Sequence, residues 1–96
     1  MIYRLDLDAE ARVLISHMSP TTKRKIRESL RAIAHNPYEG KPLQDELAGL
    51  LSYRVGTFRI VYSIDKTHKT IRVIVIGPRR SIYAELEREV MSKRRA

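Results

Sequence analysis

Residues Ile2-Tyr3-Arg4-Leu5-Asp6-Leu7 alternate apolar and polar positions and predict a short strand. Asp8 then suits a helix N-cap, with Ala9, Ala11, Val13, Leu14 and Met18 following at helical spacing. Ser19-Pro20 marks a second helix start, a capping hydroxyl followed by a proline at the first helical position. Within that helix Ile26, Leu30, Ile33 and Ala34 form one apolar stripe, and Lys23, Arg24, Lys25, Arg27 and Arg31 coat much of the remainder. Asn36-Pro37 ends it, because a proline disfavours helical geometry in the residue before it.

Residues 37–50 carry two prolines and two glycines and read as a connector. Three strand-like runs follow, Leu50–Val55, Phe58–Ile64 and Ile71–Ile76, separated by Gly56-Thr57 and by the polar turn Asp65–Thr70. Gly77-Pro78 closes the third run. Ser81 can cap a last helix with Ile82, Leu86 and Val90 at four-residue spacing. The pattern is β-α-α-β-β-β-α over one domain, 1–96. This is an α+β architecture, a mainly antiparallel sheet with helices on one face. In the middle run Phe58, Ile60, Tyr62 and Ile64 point one way and Arg59, Val61 and Ser63 the other. The larger apolar set is expected to face the helices.

Composition narrows the function. The 96 residues contain no cysteine, which excludes a disulfide scaffold or a thiolate metal site. No apolar run approaches the ~20 residues that cross a bilayer, and the stretch MIYRLDLDAEARV lacks the apolar region of a signal peptide. The expectation is a soluble cytoplasmic protein with no membrane partner. Nineteen Lys and Arg against eleven Asp and Glu give a formal charge of +8 and a pI of about 10.2. The surplus sits in residues 21–42 and 53–80. Such a balance favours a polyanion, because each neutralised phosphate releases condensed counterions.

The hairpin sharpens this. Gly56-Thr57 has the Gly-X form of a two-residue type II′ turn, which sets Val55 opposite Phe58 and Arg54 opposite Arg59. Opposed like charges destabilise a sheet; either water screens the pair or an anion occupies the site. Arg79 and Arg80 leave the neighbouring strand and can converge on the same groove, and guanidinium groups suit phosphate as planar bidentate donors. Cleaving RNA through its 2′-hydroxyl also needs a proton acceptor and a proton donor. Arginine, with a pKa above ~12, accepts poorly. His17, His35 and His68 are scattered, with no two placed together, and read as surface residues. No H-E-x-x-H or other metal spacing occurs, so neither metal nor organic cofactor is implied. Tyr83 has three readings: a phenol whose pKa the arginines lower, acting as base; a ring on which a nucleotide stacks; or a core side chain.

The stretch NPYEGKPLQDELAGLLSYRVGTFRIVYSID, followed by TIRVIVIGPRRSIYAEL, resembles the RelE/ParE superfamily of type II toxins, RelE-like branch, over nearly the whole chain. The resemblance implies a fold like that of small microbial ribonucleases. It also implies a ribosome-dependent endoribonuclease that cleaves mRNA in the A site, and neutralisation by an acidic antitoxin that covers the groove or displaces the last helix. It assigns Arg54 to a phosphate-stabilising position and Arg59 to contact with the scissile region. Arg79 falls on a group that stabilises the transition state or protonates the leaving group, and Tyr83 on a base or stacking residue. Arg80, Ser52, Lys23 and Arg27 are further RNA-contacting candidates. Ser52 departs from the pattern, standing where the family has a second lysine. The alternatives within this resemblance are a ParE-like, non-catalytic inhibitor of DNA gyrase and a degenerate RNA-binding homologue.

Overall fold

Two side-chain caps start the helices where the sequence places them. Asp8 Oδ1 accepts the Ala11 N–H at 2.8 Å and opens α1 (Ala9–Ser16). Ser19 Oγ accepts the Thr22 N–H at 3.3 Å and opens α2 (Pro20–His35). Each cap satisfies a donor that the first helical turn leaves without an internal partner. The computed structural model describes residues 2–78 together with the helical positions Ala84, Leu86 and Arg88.

The strands are β1 (Arg4–Leu7), β2 (Lys41–Pro42), β3 (Leu51–Val55), β4 (Phe58–Asp65) and β5 (Thr70–Pro78). They form one sheet in the order β1-β5-β4-β3-β2. β1 runs parallel to β5, and the other three pairs are antiparallel. The expected α+β class is therefore observed. The connector holds more structure than its prolines and glycines suggested. Single 3₁₀ turns occupy Pro37–Glu39 and Asp45–Leu47, and β2 pairs Lys41 with Ser52 and Pro42 with Leu51. Two residues are too short to show a period, and proline is tolerated there because β2 is the sheet edge.

One face of the sheet packs on the helices. Ile26, Leu30 and Ile33 of α2 meet Val55, Ile60, Tyr62, Ile71, Val73 and Ile76. Fully burying each such side chain is worth roughly 1.5–3 kcal/mol. From α1 the contact line is Ile15 and, just beyond the helix, Met18. Val13 and Leu14, counted in the helical pattern, are exposed instead, because so short a helix can turn only one line of side chains to the sheet.

The opposite face is not bare, which corrects the one-sided picture. Val61 alternates away from Ile60 and Tyr62 and is fully buried against Leu47 and Leu86, with Leu43, Leu50, Ile74 and Val75 around them. Leu86, a helical position, therefore covers the face that α1 and α2 do not. Facing Val61, β5 carries an irregularity: Val61 pairs with Val75 but Tyr62 with Val73. The added residue turns Ile74 and Val75 toward this second cluster while Val73 and Ile76 stay with the first.

Tyr62 ties the connector to the core. Its hydroxyl donates to the Pro37 carbonyl at 2.6 Å, and burial pushes its phenol pKa up, only partly opposed by the Gly40 backbone N–H. Gly40 lies against this ring, where a Cβ would meet the Tyr62 hydroxyl and stand 3.2 Å from Leu51 Cβ. Gly40→Ala is expected to lower unfolding free energy by about 1–3 kcal/mol in urea titrations. In the Tyr62→Phe background the penalty should shrink, since the closest atom is gone. Equal penalties in the two backgrounds would exclude this steric account.

Candidate nucleic-acid interface

The β3–β4 hairpin places the leading candidates. Gly56 has φ +59° and Thr57 does not enter the left-handed region, as a type II′ turn requires. The register then sets Val55 opposite Phe58 and Arg54 opposite Arg59. Since Val55 and Ile60 belong to the helix-facing core, alternation turns both arginines to the other face. Arg54 is exposed and Arg59 half-buried.

Ser52 lies two residues along β3 from Arg54, on the same face, and is only 2% exposed. Its hydroxyl accepts a hydrogen bond from Arg59 Nη1 at 3.1 Å. The residue that departs from the family pattern is thus no loose RNA-facing hydroxyl; it is a buried seat for one guanidinium. Arg59 is bordered on β5 by Gly77, its cross-strand partner, and Pro78 pairs with Phe58. No side chain rises from Gly77 to crowd the pair.

Of the other candidates, Lys23 and Arg27 belong to α2, in the layer on the far side of the sheet, so the structure does not bring them to the arginine pair. Arg79, Arg80 and Tyr83, with the Ser81 cap and the Ile82 and Val90 positions, lie outside the described residues. Helical geometry is described at Leu86, the middle of that stripe. The histidines make local contacts. His17 Nδ1 is 2.8 Å from the Val13 carbonyl, His35 is exposed at the end of α2, and His68 pairs with Asp65 at 2.8 Å in the β4–β5 turn.

Two shallow grooves flank these features. One of about 340 Å³ runs between α2 and the edge of β3, lined by Lys25, Glu28, Ser29, Tyr53, Arg54 and Val55. The other, of about 380 Å³, lies at the far edge of the sheet among Arg4, Asp6, Asp65, His68, Thr70 and Arg72. There the cations face carboxylates: Arg72 Nε stands 3.7 Å from Asp6 Oδ2 and His68 pairs with Asp65. The larger groove is close to charge-balanced, and the sheet row at Arg54 and Arg59 sets two guanidinium groups opposite one another. Guanidinium groups are planar, bidentate donors suited to phosphate oxygens.

The family model for the ParE toxin of the type II toxin–antitoxin system parDE matches residues 2–83. The chain belongs to this toxin family. Toxin RelG of Mycobacterium tuberculosis is 48% identical over 44 residues, 46% of this chain and 51% of that protein. The chain spans about half the length of the curated relatives it matches. Among solved structures, the M. tuberculosis toxin–antitoxin complex RelBE2 contains a chain 31% identical, with TM-score 0.73, covering 82% of this chain and 100% of that one. A mutant of the E. coli toxin RelE in the free state has TM-score 0.75 at 20% identity, covering 97% of this chain and 98% of that one; at that identity the likeness speaks for the fold alone. The toxin family thus accounts for the fold.

Sequence reasoning missed a cation beside Ser52. Lys41 pairs with Ser52 across the β2–β3 ladder, a position hidden by the proline-rich connector around it. The available signal was the run Gly40-Lys41-Pro42, a lone cation between a glycine and a proline.

The far groove offers a test of charge. Asp65 takes the His68 backbone N–H at 3.1 Å and the His68 ring, and chiefly this backbone bond holds its carboxyl below the usual range. A depressed carboxylate pKa adds stability above the unfolded value, about 4, and loses it as pH falls through the folded value. Asp65→Asn should therefore lower Tm at pH 7, and the gap to the parent should close in acid below about pH 4. A gap of constant size down to pH 2 would assign the effect to something other than this carboxylate.

Proposed function

We propose that this chain is the toxin of a type II toxin–antitoxin pair and that it cleaves mRNA bound on the ribosome. The observation carrying this reading is the Arg54–Arg59 pair, two cations held directly opposite one another on the sheet face away from α1 and α2. A sheet gains nothing from opposed like charges. A phosphate between them removes the repulsion and gains charge-assisted hydrogen bonds.

In the proposed reaction the 2′-hydroxyl attacks the adjacent phosphorus and the P–O5′ bond breaks, leaving a 2′,3′-cyclic phosphate and a 5′-hydroxyl. Charge accumulates on the phosphorane oxygens, where Arg54 and Arg59 act. Ser52 keeps Arg59 in position. Arg79 and Arg80 follow directly on Pro78, whose Cα partner is Phe58 at the end of the same hairpin, and we assign Arg79 to the leaving oxygen. Tyr83 is assigned to the 2′-hydroxyl proton or to stacking on the neighbouring base. This is a thin catalytic set for free RNA. Orientation of the mRNA by the ribosome supplies the missing rate, since positioning alone is worth up to ~7–11 kcal/mol in intramolecular reactions. The partner is an acidic antitoxin, in keeping with a formal charge of +8 and with structural neighbours solved as toxin–antitoxin complexes. A cytoplasmic site of action belongs to the same reading.

One observation favours a second reading: the matching family model is that of the parDE toxin, the branch of gyrase inhibitors. In vitro translation with mapping of mRNA 5′ ends, run beside a gyrase supercoiling assay, separates the two. Cuts phased with codons are expected, and Arg59→Ala should reduce them by about 100-fold, the loss typical of removing one transition-state donor. Blocked supercoiling with intact mRNA would overturn the nuclease reading in favour of gyrase. Neither effect would leave an RNA-binding homologue.

A further inference from the structure

We infer that Lys41 is a third cation of this polyanion site, binding the nucleic-acid backbone beside the Arg54–Arg59 pair; the inference rests on reading that face as the RNA-binding one. The β2–β3 register, the side taken by Gly40 and the exposure of Lys41 agree in placing it there. Lys41 is the Cα partner of Ser52. Its neighbours both turn to the opposite, helix-facing side: Gly40 is directed at Tyr62 and Leu51, and Pro42 pairs with Leu51, which packs on the helix-facing core. Alternation along β2 therefore sends Lys41 to the arginine face. Finally, Lys41 is exposed, whereas Ser52 beneath it is buried.

The geometry gives the three cations a common footprint. Arg54 is two residues along β3 from the partner of Lys41, a diagonal cross-strand position whose separation is about 7–8 Å, and Arg59 stands opposite Arg54. An ammonium on a flexible four-carbon stem covers that distance as a point charge, complementing two rigid guanidinium forks. The small Ser52 between them raises no bulk, and its hydroxyl already receives Arg59. A lysine on the neighbouring strand thus restores the positive charge that Ser52 itself does not carry. A competing role exists, because lysines on edge strands discourage sheet-to-sheet association, and β2 is an edge. That role predicts a change in self-association and none in RNA affinity.

The test is fluorescence anisotropy of a labelled single-stranded RNA oligonucleotide at several salt concentrations, with parent, Lys41→Ala, Lys41→Arg and Lys66→Ala proteins. Lys66 carries the same charge but sits in the β4–β5 turn, seven residues from Arg59 and about 23 Å away along β4. Lys41→Ala should weaken binding about 5–10-fold at low salt. It should also reduce the slope of log affinity against log salt by about 0.7, the single-strand value for one phosphate contact. Lys41→Arg should restore most of both, and Lys66→Ala should change neither. If Lys41→Ala matches the parent in affinity and slope, or Lys66→Ala weakens binding equally, the assignment is overturned. The parent's mRNA cleavage, measured alongside, keeps the two questions apart. A parent that binds RNA through Lys41 but cuts none would sink the nuclease reading and support this site. A parent that binds no RNA would overturn this site, and the cleavage measurement alone would decide the nuclease reading.

Discussion

The two-residue turn at Gly56-Thr57 is the constraint on which the arginine face depends. Side chains in a strand alternate with period two, so a slip of one residue in β3 against β4 would exchange every inward and outward position. Three of the largest buried side chains of the sheet, Ile60, Val61 and Tyr62, sit on β4 and leave almost no exposure on either side. The register is therefore held from both faces. Moving Arg54 away from Arg59 would drag Val55 out of the core. The like-charge pair is held in place because the hydrophobic terms on either side of it, at roughly 1.5–3 kcal/mol per large side chain, fix the register.

The same β4 residues explain why the sheet is covered twice. Val61 is as deeply buried as Ile60 and Tyr62, so the strand is apolar toward both sides in its middle and amphipathic toward its turn. The apolar middle is roofed by Leu47 and Leu86; the end nearer the turn carries the Arg54–Arg59 pair. The irregularity between β4 and β5 serves this division, aiming two consecutive β5 side chains at the roof.

Much of this was legible from local chemistry. Asp8, Ser19 and Asn36-Pro37 set the helix limits because capping and proline sterics act within a few residues. The Arg54–Arg59 pairing followed from turn length alone. What escaped were features set by distant partners. β2 exists only because β3 offers it a ladder, and neither Lys41 nor Pro42 has strand character by itself. The second cluster joins Leu47, Val61 and Leu86, spread over some forty residues of chain, and no short-range period announces it. Ser52 read as an RNA-contacting candidate, and the structure buries it with its hydroxyl accepting from Arg59.

The parallel pairing of β1 with β5 has a consequence for how the molecule comes into being. Arg4 finds its partner only at Thr70, and Leu7 only at Val73, the longest closure in the sheet. Loop entropy sets such contacts late in folding, after the nearby hairpin has formed. On a chain emerging from synthesis, the cationic hairpin is thus available while the first strand still waits for its neighbour. The finished sheet appears only once the strand Thr70–Pro78 has been made.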